Sequence, residues 1–91
     1  MRRKKIPNID FIVGMAEEFV NGGDYLNFTL DFMHYFIEKY DAMCREDEVY
    51  ADMINYYLFE NAFDRHRDDP EDKLRKIMEK ALKELKSDDI L

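Results

Sequence analysis

Asp31, His34 and Glu38 stand three and four residues apart, so a helix would carry all three on one face, with Asn27 and Asp41 extending the strip. Two carboxylates and an imidazole so placed can converge on one cation. A polar strip on any amphipathic helix has the same spacing automatically. Carboxylate-bridged di-metal bundles repeat a Glu-x-x-His motif on two helices. Here only Asp31-x-x-His34 approximates it, and the next apolar segment offers Glu60-x-x-Phe63 instead. The trio is therefore a weak metal candidate, and no cofactor is expected.

Other chemistry finds less support. The only Ser is Ser87, the only Thr is Thr29, and neither lies in a glycine-rich elbow. Cys44 has no neighbouring His, and as the lone cysteine it rules out an intramolecular disulfide or a cysteine-rich zinc cluster. Gly14, Gly22 and Gly23 fit neither the P-loop nor the dinucleotide fingerprint. His66, among Asp64, Arg65, Arg67, Asp68 and Asp69, reads as a cation at a helix C-terminus, where the dipole favours it. An enzyme is not expected.

Charge separates the chain into three parts. Residues 1–5 contain Arg2, Arg3, Lys4 and Lys5; residues 6–69 hold 15 acidic and four basic side chains, a net of −11; residues 70–91 hold six of each. Such a body repels phosphate backbones, whose protein ligands are mainly Lys and Arg. It suits a basic protein surface, where complementary fields raise the association rate and set orientation. A net charge of −7 is also ordinary for a small domain kept in solution by its charge. Direct nucleic-acid binding would rest on the basic tail and on Lys73, Lys76, Lys80 and Lys83. Those lysines are interleaved with Glu79 and Glu84, so i,i+4 pairing explains them equally well.

These residues must be positioned by helices. Apolar side chains recur at spacings of three and four, and sustained alternation is absent. Ile9, Ile12, Val13, Ala16, Phe19 and Val20 make one stripe, with Asn8 as N-cap after Pro7 and Gly22-Gly23 as the stop. Asp24 can cap a second helix whose stripe is Leu26, Leu30, Met33, Ile37 and Tyr40. Asp69 and Pro70 open the last helix, with Leu74, Ile77, Met78, Ala81, Leu82 and Leu85 facing inward. Between 24 and 69 there is neither Gly nor Pro, and a heptad-like series keeps phase across the gap. A continuous helix over 24–66, roughly 65 Å long, is therefore the variant reading. A break in Arg45-Glu46-Asp47-Glu48, with Asp47 capping a third helix, is preferred because helices are usually far shorter.

The expected fold is all-α, a compact bundle of four helices near 8–21, 24–44, 47–66 and 70–86, as one domain between a basic tail (1–7) and a C-terminal tail (87–91). No apolar run approaches the roughly 20 residues that span a bilayer, and the start does not read as a secretion signal, so a cytoplasmic location is expected. Eleven of the 13 aromatic residues lie between Tyr25 and Phe63. Phe28, Phe32 and Tyr35 form a second stripe beside the leucines, and Val49, Met53, Tyr56 and Phe63 flank the next helix. Helices apolar over most of their circumference are central in a fold or covered by another chain. A domain this small hides only about 60–65% of its unfolded surface.

The leading expectation is thus an acidic, non-enzymatic protein-interaction module. Its contact core would be Phe28, Phe32, Tyr35, Tyr56 and Phe63, and its charged rim Asp31, Glu38, Asp41, Glu46, Asp47, Glu48 and Asp52. One version is an inhibitor or antitoxin-like protein whose carboxylates stand in for phosphates in a basic, nucleic-acid-binding groove. A homodimer through the second and third helices is also expected. The alternative is a ligand- or metal-binding bundle. A nucleic-acid binder acting through the tail and last helix is weaker still.

Overall fold

Pro7 begins the first helix because its missing N–H costs nothing there and its fixed φ suits the first helical position. The computed structural model describes residues 6–90, and side chains for residues 6–87; the basic tail at residues 1–5 lies outside the described residues. Four helices run in order: α1 (Pro7–Val20), α2 (Tyr25–Glu46), α3 (48–66) and α4 (Glu71–Ile90). The fold is all-α.

The boundaries match the sequence reading in part and correct it in part. Ile6, not Asn8, occupies the N-cap of α1, and it supplies no side-chain bond. Asn8 lies inside the first turn, where a distant carboxylate serves it. At the other end Gly22 takes φ 113° and Gly23 N donates to Glu18 O at 2.9 Å. A Cβ on Gly23 would stand 2.9 Å from that same carbonyl oxygen, so both glycines are required for the stop.

Asp24 caps α2 as expected, accepting from Asn27 N at 2.9 Å. The chain breaks at Asp47, whose backbone is extended (φ −165°, ψ 97°), and the Asp47 carboxylate accepts from Tyr50 N at 3.1 Å to start α3. A continuous helix over 24–66 is thereby excluded. Before α4, the Asp69 carboxylate meets His66 Nδ1 at 2.7 Å and Lys73 Nζ at 3.6 Å, which holds it below the usual carboxylate range. His66 therefore closes the α3–α4 turn through a side-chain pair. Finally, α4 runs on to Ile90, because nothing in residues 86–90 is a glycine or proline stop.

Within α3, Ile54–Phe63 forms a π-helical segment between short α-helical ends. Its i→i+5 pattern rotates the stripe, so that Phe63, five residues beyond Leu58, also turns inward. Two side chains keep the same interval. Asn55 Nδ2 donates to Glu60 Oε2 at 3.2 Å, and Asn61 Nδ2 donates to Tyr56 O at 2.8 Å.

Helices α2 and α3 run antiparallel, as the Phe28–Phe63, Phe36–Phe59 and Tyr40–Asp52 contacts require. Helix α1 packs on α2 and α4, and the π segment packs on α4. The rings at the centre belong to Phe19 and Phe28, stacked 4.2 Å apart, with Phe63 edge-on to Phe28 at 5.7 Å and Phe32 4.9 Å from Phe63. Phe28, Phe32 and Phe63 are buried. Their expected role as an exposed contact core is therefore overturned.

Candidate docking groove

If the phenylalanines of α2 face inward, the aliphatic row must face out. Phe32 and Leu30 are two residues apart, about 200° around a helix, so one stripe cannot enter the core without expelling the other. Phenylalanine carries more apolar area, and aromatic pairs gain further from edge and offset contacts. Leu26, Leu30 and Ile37 are accordingly 66, 70 and 66% exposed, and Met33 is half-buried between them. The sequence reading assigns the contact surface to the aromatic stripe beside this row. The excess of apolar surface on α2 is present, but it is aliphatic.

The row forms one wall and floor of an open groove with a volume of about 510 Å³. The opposite wall is the end of α3 and the turn after it: Phe63, Arg67 and Asp68. Tyr25 ties the two walls together, its hydroxyl donating to Arg67 O at 2.8 Å. The Arg67 guanidinium lies against the thioether of Met33, with Nη1 3.6 Å from Sδ, and has no carboxylate partner among the described residues. Thr29 turns its hydroxyl back to Leu26 O at 3.1 Å and so offers the groove a methyl group.

The rim carries both signs, Glu38 and Asp68 against Arg67. His34 and Glu38 line it as a pair 3.4 Å apart, both well exposed, so their attraction is weak in water. Asp31 and Asp41 are exposed on α2, and Glu48 is exposed in the first turn of α3. Asp31 does not join His34 and Glu38 in a ligand set; no three His, Cys, Asp or Glu side chains converge among the described residues.

Three of the expected rim carboxylates serve the fold instead. Glu46 accepts from Asn8 N, Asn8 Nδ2 and Ile9 N at the start of α1. Asp47 caps α3. Asp52 accepts from the Tyr40 hydroxyl at 3.0 Å; burial, then the Asp52 and Cys44 contacts, push the Tyr40 pKa well above its usual value. Tyr35 is likewise occupied: its hydroxyl donates to Asn8 Oδ1 at 2.7 Å and its ring lies 4.7 Å from that of Phe11. Burial and the nearby Glu46 charge raise its pKa. Tyr56 is exposed, edge-on to Tyr57 at 5.1 Å, and stands apart from the groove.

Sequence reasoning missed Arg67 and Arg75. Arg75 reaches from α4 to the end of α1, with its guanidinium 4.4 Å above the Phe19 ring and hydrogen-bonded to Phe19 O, Gly23 O and Glu71. The signal for it was a lone arginine among the lysines of α4. Among the described residues no helix is long and apolar enough to cross a membrane. Comparison with known proteins finds no matching family model, no matching curated protein and no matching solved structure.

Proposed function

We propose that this chain is a non-enzymatic protein-interaction module that docks a basic partner on the outer face of α2. The observation that carries the reading is the exposed row Leu26, Leu30 and Ile37, aligned in one groove and bordered by Glu38. Aligned exposed aliphatics with a polar rim are the common anatomy of a docking patch. The surrounding body, net −11 over residues 6–69, adds a field that draws in a positively charged surface. Within this reading, occupation of a nucleic-acid-binding groove would rest on Asp31, Glu38, Asp41 and Glu48, since Glu46, Asp47 and Asp52 are already engaged.

Affinity capture from the native host tests the reading, with the wild-type chain and Leu30→Asp as parallel baits. The expected outcome is a partner held by the wild type, lost with Leu30→Asp and weakened as salt rises. A partner retained equally by both baits would remove the groove from the function.

A further inference from the structure

We propose that the occupant of the groove is a single amphipathic helix of about three turns, with Lys or Arg along one flank and an acidic residue on the other. The inference rests on the interaction reading above and specifies its partner. Leu26, Leu30, Met33 and Ile37 are spaced four, three and four residues apart. That is the spacing at which one helix accepts another's side chains between its own. From Leu26 to Ile37 the row is about 16 Å long at 1.5 Å per residue, which sets the matching length of the guest.

An extended peptide fits less well. Strand addition needs an unpaired sheet edge, and the walls of this groove are helices whose backbone groups are already bonded. Helix-in-groove recognition needs only an apolar floor and two walls, both present.

Glu38 stands on the α2 side of the groove and Asp68 beside Arg67 on the α3 side, and the Arg67 guanidinium is the group that orients the guest. On the α2 side Glu38 lines the groove and the exposed Asp41 follows it three residues along, whereas Asp31 borders a separate hollow against α1. A guest presenting Lys or Arg there gains from each carboxylate. On the α3 side Arg67 stands over Met33 without a carboxylate partner among the described residues, so a guest Asp or Glu completes it. A second copy of this chain is the poorer occupant. It would bring its own Glu38 and Asp41 against the same residues, and each copy carries −7.

Selection from a displayed library of random 16-residue peptides, with the full chain as bait and Leu30→Asp as counter-bait, tests this directly. Leu30 is exposed, so the variant should keep the wild-type circular dichroism and melting temperature. Enriched sequences are expected to carry apolar residues at i, i+3 or i+4, and i+7, with an excess of Lys and Arg. A synthetic copy of the best sequence should bind Leu30→Asp at least tenfold more weakly than wild type. Arg67→Glu should weaken peptides that contain an acidic residue more than their alanine-substituted copies. Enriched sequences without a helical period, acidic sequences, or equal binding to Leu30→Asp would overturn the proposal. So would a dimer at micromolar concentration that Leu30→Asp dissociates, because a second copy would then own the groove. If host capture still depends on Leu30 while the peptides show no helical period, the helix fails and the interaction reading stands. If capture ignores Leu30→Asp, both fall.

Discussion

The Glu46 carboxylate closes the N-terminus of α1 from the end of α2, with Oε2 3.0 Å from Asn8 N and 2.6 Å from Asn8 Nδ2. The other oxygen accepts from Ile9 N at 3.1 Å. An N-cap is usually local, supplied by the residue that precedes the helix. Here Ile6 occupies that place and has no polar side chain to offer, so the cap is tertiary and joins the two helices. The same Asn8 accepts from Tyr35, which extends the contact back along α2.

Removing this cap should destabilise the fold by about 1–2 kcal/mol, the range for losing a capping side chain that also meets the helix dipole. Urea denaturation of Glu46→Ala measures it. Glu46→Gln should lose less, because its amide oxygen still accepts one bond. Equal stability of Glu46→Ala and the wild type would show that the carboxylate contributes nothing.

Which stripe of α2 is the core is decided by a pair of truncations. Phe32 is fully buried between Phe28 and Phe63, so Phe32→Ala should cost about 3–5 kcal/mol through lost burial and a residual cavity. Leu30→Ala, on the exposed row, should stay within about 0.5 kcal/mol of wild type. Thermal or urea melts of the two variants suffice, and the reverse ranking would return the leucines to the interior.

That pair also marks what was legible in the chain. Punctuation was readable because its causes are local: Asp24 and Asp47 cap, Gly22 and Gly23 stop, and the helix class comes from spacing alone. The facing of α2 was not, since two apolar stripes at helical spacing give a rotation ambiguity that only packing against Phe19 and Phe63 resolves. The π segment was hidden too, because no local residue pattern over Ile54–Phe63 marks it. Groups such as Glu46 and Asp52 looked like free surface charge. Their partners, Asn8 and Tyr40, are distant in sequence, so no local pattern pointed to them.

Alkaline stability should reflect Tyr40 and Tyr35. Both have pKa values raised above the ordinary 10.0, by burial first and then by Asp52 and Cys44 for Tyr40 and by Glu46 for Tyr35. A raised folded value means the native state holds its proton where the unfolded chain has lost it. Their contribution is thus whole below about pH 10 and shrinks as pH rises through and beyond that point. Denaturation midpoints should fall above pH 10, and less steeply in Tyr40→Phe. A wild-type midpoint flat across that range would contradict the burial of the phenol.

Arg75 should prove the most demanding charged side chain on α4. Its guanidinium lies over the Phe19 ring and donates to Phe19 O and Gly23 O, at and just after the end of α1, where the carbonyls carry partial negative charge. Arg75→Ala removes a charge-assisted bond and the ring contact, leaving Phe19 O with the Gly22 N–H alone, for about 1.5–3 kcal/mol. Arg75→Lys should recover only part of that, since an ammonium lacks the planar fork that stacks on a ring while reaching two acceptors. Lys76→Ala, an exposed neighbour one residue along, should be neutral within about 0.5 kcal/mol and serves as the control. Equal stabilities for Arg75→Lys and wild type in urea melts would show that charge alone, without the planar geometry, holds α4 to α1.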